Sequence, residues 1–265
     1  MRRSNGPRNN GWVAGCGRAF GIICGVVTTL AAGVVQAAGP SCPAVAPRHI
    51  ALQATRVALF HGRPITIVAL GSSSTEGAGA SAPDQTYPAR LAAVLRAAWP
   101  DVPVTVLNKG IGGQIADAVV ARIDTDVLAL EPTLVIWQVG TNEVLRSMDQ
   151  AQFATRLHEG VRRILASGAD LVLMDAQVAP RVTEDRLPVY DAIIAHEAQL
   201  QHVPLFSRTG LMREWQTEDP PVEGMIGPDG LHHTDRGYAC VAASLGQAIV
   251  DAAAKGLHVA SVKTK

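Results

Sequence analysis

Five short apolar runs, separated by stretches of helical periodicity, set the plan of this chain. Residues 65–70, 104–107, 134–139, 171–174 and 203–206 are rich in Val, Ile and Leu and lack polar alternation, the pattern of strands covered on both faces. Amphipathic helices are predicted over residues 87–99, 115–123, 151–167, 187–201 and 235–254. A shorter one is predicted over 50–60, closed by His61-Gly62 and Pro64. Strand and helix alternate with no internal repeat or low-complexity linker. That order predicts a single doubly wound α/β domain of about 200 residues around a parallel sheet.

The first residues read differently. Arg2, Arg3, Arg8 and Arg18 precede an uncharged stretch, residues 19–38, that closes on Val35-Gln36-Ala37-Ala38. A basic head, an apolar middle and a small-residue end describe a secretory signal over residues 1–37, cut near Ala37 or Ala38. The same stretch is long enough to act as an uncleaved membrane anchor. Both readings predict export, to the periplasm or outside the cell. Residues 38–63 then form an arm, Pro-rich from Pro40 to Pro47, and a short helix. The domain proper is expected over 64–254, and residues 255–265 form a tail. Beyond the leader the cysteines are Cys42 and Cys240. In an oxidising compartment they can pair and tie the arm to the last helix.

Composition narrows the partners. The 265 residues carry 23 Lys and Arg against 23 Asp and Glu, and only 4% are aromatic. With neither a basic stripe nor a stacking platform, a nucleic-acid partner is not expected.

Four polar clusters interrupt the apolar pattern: Gly71-Ser72-Ser73-Ser74, Asn108-Lys109-Gly110-Ile111-Gly112-Gly113, Gly140-Thr141-Asn142-Glu143 and Asp229-Gly230-Leu231-His232. The first three follow predicted strands. In a parallel sheet those strand ends share one edge, so these clusters converge in space. Each supplies something acyl transfer needs. A serine hydroxyl attacks only when a base takes its proton, and His232 is of the right type. Asp229, three residues earlier, is placed to accept a hydrogen bond from its Nδ1. Donors for a tetrahedral oxyanion are available from the Gly113 N–H, the Asn142 amide and the serine's own N–H. By pattern alone Ser72, Ser73 and Ser74 remain alternatives as nucleophile, and His233 remains a rival base or a residue of the cleft rim. No His-x-x-x-His pattern completes a zinc site, and the phosphate-loop and Gly-x-Ser-x-Gly motifs are absent. No metal or cofactor is expected.

The four clusters, in this order, resemble the blocks of the SGNH (GDSL-type) hydrolases, over roughly residues 64–252. The resemblance implies a flavodoxin-like three-layer α/β/α sandwich with a five-stranded parallel sheet, and cleavage of carboxylic esters. Carried over, it makes Ser73 the nucleophile, Asp229 and His232 its triad partners, and Ser73, Gly113 and Asn142 the oxyanion donors. Two positions depart from the family pattern: Ser72 stands where an Asp is usual, and Glu143 replaces the commoner Asp after the block Asn. The expected substrate is a small-molecule or glycan ester, with residues 180–187 and 217–228 as cleft walls. An acyltransferase using the same triad, or a non-catalytic binding protein on the same fold, would share the constellation.

Overall fold

The computed structural model describes residues 42–218 and 223–254, all within one compact unit that begins at Pro40. The expected leader, residues 1–37, and the tail, residues 255–265, lie outside the described residues. So do residues 219–222 of the second expected cleft wall.

Five parallel strands form one sheet in the order β2-β1-β3-β4-β5: β1 Ile65–Gly71, β2 Val104–Gly110, β3 Leu134–Gln138, β4 Asp170–Met174 and β5 Leu205–Phe206. The centre of the sheet is dry, with Ile65, Ile67, Leu70, Leu134, Val135 and Ile136 fully buried. That is why these runs show no alternation: helices cover both faces. The helices are α1 Gln53–Phe60, α2 Ser73–Glu76, α3 Tyr87–Ala98, α4 Ala116–Val120, α5 Ile123–Asp126, α6 Thr141–Arg146, α7 Gln150–Ala166, α8 Leu187–Leu200, α9 Arg208–Thr217 and α10 Asp235–Ala254. Helices α1, α3 and α10 pack together, and α4, α7 and α8 form a second group. This is the three-layer α/β/α sandwich. Helix α10 is long and apolar enough to suggest a membrane span, but most of its length is buried inside the domain.

Several boundaries differ from the sequence expectation, each for a local reason. Strand β2 runs on through Asn108 and Lys109 because an edge strand tolerates polar positions. Strand β5 keeps two residues. His202 takes a left-handed φ of 55°, the Val203 N–H closes α8 on Ala198 O, and Pro204 has no N–H to give. The helix expected over 115–123 breaks into α4 and α5 at Arg122, whose backbone leaves the helical region. Helix α9, with Gly210 in its first turn, is not among the elements the sequence pattern predicts. Its start is nonetheless marked by Ser207, whose Oγ accepts the Gly210 N–H at 3.0 Å.

Three contacts fasten the N-terminal segment. Asp170, at the start of β4, accepts the N–H groups of Gln53, Ala54 and Thr55 at 2.8–3.0 Å, satisfying the orphan donors of α1 with a negative charge. Arg48 pairs with Glu214 on α9 at 2.7 Å. Cys42 and Cys240 are joined as a disulfide, with Cα atoms 5.3 Å apart.

Helix α7 approaches β3 closely at Gly160. A Cβ on Gly160 would come within 2.6 Å of Trp137 Cζ3 and 3.1 Å of Val120 Cγ2. Gly160→Ala is therefore expected to destabilise the protein by about 1–3 kcal/mol through overpacking, although Ala is the better helix former by about 1 kcal/mol. Denaturant unfolding measures it, and a more stable variant would contradict the packing described.

Candidate active site

In the strand order β2-β1-β3 the chain leaves β1 and β3 in opposite directions, and the crevice opens at their carboxyl ends. The turn after β1 enters α2 at once, and its three serines diverge. Ser72 is buried, and both its N–H and its Oγ–H donate to Gln138 Oε1, at 3.1 and 3.2 Å. Ser74, also buried, donates to Gln177 Oε1 at 2.6 Å. Ser73 alone faces the crevice, where its Oγ lies 2.8 Å from His232 Nε2.

The loop before α10 supplies the other half of this chain of contacts. His232 Nδ1 is 2.5 Å from Asp229 Oδ2, and Asp229 Oδ1 accepts the N–H groups of Leu231 and His232 at 3.0 Å each. Burial works against the charge on Asp229, but the two N–H donors and His232 outweigh it and hold the carboxyl down at about 2. With Nδ1–H donated to a carboxylate, Nε2 is left as the acceptor for the Ser73 hydroxyl.

The turn after β2 lies against the same serine: a Cβ on Gly112 would sit 3.9 Å from Ser73 Cβ. Gly113 has φ +74°, a left-handed conformation that a side chain disfavours, and its carbonyl accepts Arg146 Nη2 at 2.6 Å. Asn142, on the first turn of α6, donates one amide N–H to Gln114 O at 2.8 Å, which leaves the second for another acceptor. Glu143 ties the same two turns together. Its Oε1 accepts Ala116 N–H at 2.6 Å and its Oε2 accepts Gly140 N–H at 3.1 Å. Burial pushes the Glu143 carboxyl up, and these donors pull against that.

His233 does not line the rim. It is 1% exposed, its Nδ1–H donates to Met225 O at 3.2 Å, and its ring meets Trp215 and Tyr238 edge-on. Burial, then the charge of Arg208, pushes it down to about 3. Arg208 is itself buried under the site, within reach of Thr141 Oγ1 and Ala176 O. Its neighbour Asp175 accepts Ser207 Oγ–H and Thr209 N–H. Burial, then repulsion from Asp191, raises Asp175 to about 6. Among the described residues no three His, Cys, Asp or Glu side chains gather to hold a metal. Sequence reasoning passed over Gln138, Gln177 and Arg208. Gln138 shows in the sequence as a lone polar residue in the apolar run 134–139, and Gln177 follows Asp175 just beyond the run 171–174.

The model of the non-GDSL lipase-like family matches residues 40–255. Over 131 residues the chain is 29% identical to esterase TesA of Pseudomonas aeruginosa, a stretch that takes in 48% of this chain and 60% of that one. It is 36% identical over 92 residues to an acetylxylan esterase of Geobacillus stearothermophilus, covering 34% of this chain and 41% of that one. The chain thus spans less than two thirds of the length of either. A two-domain esterase active on acetylated mannans shares the fold at a TM-score of 0.67 and 21% identity, over 78% of this chain and 55% of the other.

The buried His233 has a measurable consequence. Its folded value of about 3 lies below the ordinary 6.5, so the unfolded chain takes up this proton first as pH falls. Its contribution to stability is whole above the ordinary value and is lost on acidification toward the folded one. Between pH 7 and about 4 the wild type is expected to lose on the order of 3 kcal/mol more stability than His233→Phe. Parallel unfolding curves across pH test this, and equal slopes in the two proteins would refute it.

Proposed function

This chain belongs to the non-GDSL lipase-like family, and on that footing we propose that it is an exported serine ester hydrolase acting through an acyl-enzyme on Ser73. The observation that carries the reading is the continuous line Asp229–His232–Ser73, with separations of 2.5 and 2.8 Å.

Ser73 Oγ attacks the ester carbonyl while its proton passes to His232 Nε2. Asp229, ionised far below neutral pH, holds the Nδ1–H tautomer and stabilises the imidazolium that forms. The carbonyl oxygen gains charge and is met by the N–H groups of Ser73 and Gly113 and by the free amide N–H of Asn142. The tetrahedral adduct collapses. The bond to the alcohol breaks, and His232 returns its proton to the leaving oxygen. Water then attacks the acyl-serine, with His232 again taking a proton, and the acid leaves as Ser73 recovers its hydrogen. Every step uses groups of this chain and water.

The acetylxylan esterase among the similar proteins supports a short acyl group on a glycan or other alcohol as the substrate class. Export is supported by the basic-then-apolar pattern of residues 1–38 and by the Cys42–Cys240 bond.

The direct test is hydrolysis of p-nitrophenyl acetate by the purified protein. Ser73→Ala is expected to lose a factor on the order of 10⁴ or more in kcat, and Asn142→Ala about 10² to 10³. Ser72→Ala retains the nucleophile and its labelling by a fluorophosphonate. Near-normal turnover by Ser73→Ala would overturn the reading.

A further inference from the structure

The strand register does not set the distance between Ser73 and His232. Ser73 is two residues beyond β1, but His232 sits 159 residues away on a loop outside the sheet, whose bridge is the isolated Ile226–His233 pair. Something else must hold that loop against the serine turn. On its far side, Tyr238 OH donates to Ala78 O at 2.6 Å, and Ser81 N–H donates to Asp235 Oδ1 at 2.8 Å. Next to the reacting atoms the link is Gln177.

Gln177 lies just beyond β4 and is fully buried. Its Oε1 accepts the Ser74 hydroxyl at 2.6 Å, and its Nε2 donates to Leu231 O at 2.7 Å. The partners dictate the orientation of the amide: a carbonyl oxygen only accepts, so the NH₂ group faces Leu231 and the oxygen faces Ser74. Each partner is one residue from a reacting side chain, since Ser74 follows Ser73 and Leu231 precedes His232. An amide meets both demands, accepting on one side and donating on the other.

The geometry points to Gln177 as the positioning residue that sets the Ser73–His232 separation, clamping the acid–base loop to the nucleophile turn without touching substrate. This rests on the reading of Ser73 as nucleophile and His232 as base. Both bonds are shielded from water, so nothing replaces them when the amide is lost. A shift of about 1 Å between reacting groups costs about 100-fold in rate.

The test uses Gln177→Met, which keeps the volume without donor or acceptor, and Gln177→Glu, which keeps an acceptor for Ser74 but sets a second acceptor against Leu231 O. With p-nitrophenyl acetate, both are expected to lower kcat about 10- to 100-fold while KM stays within about threefold. The rate of fluorophosphonate labelling at Ser73 should fall in step with kcat. Ser74→Ala is expected to lower kcat by less, and to cost nothing further when added to Gln177→Met, because the two form one link. Wild-type kcat in a folded Gln177→Met, a loss confined to KM, or independent multiplication of the two losses would each overturn the proposal. If Gln177→Met fails to fold, Ser74→Ala carries the test, and wild-type kcat there overturns it. An active Ser73→Ala would instead mean that the underlying reading is wrong.

Discussion

The parallel pairing of β1 with β3 is the constraint on which the crevice depends. Ile67 lies opposite Leu134 and Leu70 opposite Trp137, so the two strands end side by side and release their chains in opposite directions. The gap this leaves stays open between the two helices that follow. It is lined by the starts of those helices, α2 and α6, which carry Ser73 and Asn142. Gln138, the last residue of β3, reaches across to the N–H and hydroxyl of Ser72, fixing the turn that follows β1 to the strand beside it. The pairing of β1 with β2, Gly71 opposite Gly110, brings in the third turn from the other side.

Below this edge runs a layer of buried polar groups: Gln138, Gln177, Glu143, Asp175 and Arg208. Burying such groups is costly unless each is partnered. Here the partners are main-chain groups: Ala116, Gly140 and Leu231, in the site's own turns, on Glu143 and Gln177, and Thr209 and Ala176, beside them, on Asp175 and Arg208. The turns carry few apolar residues, so hydrogen bonds rather than packing define their positions. The same layer explains the two histidines. His232 has a carboxylate on one nitrogen and a hydroxyl on the other, whereas its neighbour His233 is enclosed by rings near the Arg208 charge and is kept neutral.

The departures from the family pattern acquire physical content from this layer. Ser72 turns away from the crevice toward β3. Glu143 is one methylene longer than Asp, and its two carboxylate oxygens join the turn after β2 to the turn after β3. The side chain at this position is thus a bridge between the segments that carry Gly113 and Asn142.

By itself the sequence determined the fold class, the number and order of strands, and which turns carry polar chemistry. Those follow from periodicity and from the rule that parallel strands end on one edge, both local or nearly local properties. The strands in the centre of the sheet were the most legible, because burial on both faces leaves an unbroken apolar run. The edges were not: β2 admits Asn108 and Lys109, and β5 keeps two residues. The resemblance to a known family singled out Ser73 and His232; residue pattern alone did not. Nor did it give any sign that Ser72 and Ser74 turn to two glutamines while Ser73 Oγ lies against His232, and that His232 rather than His233 meets Asp229. Neighbours in sequence share a local pattern, but their side chains leave the backbone in different directions. Only the packing of β3, the segment after β4 and the loop before α10 gives each direction a different partner.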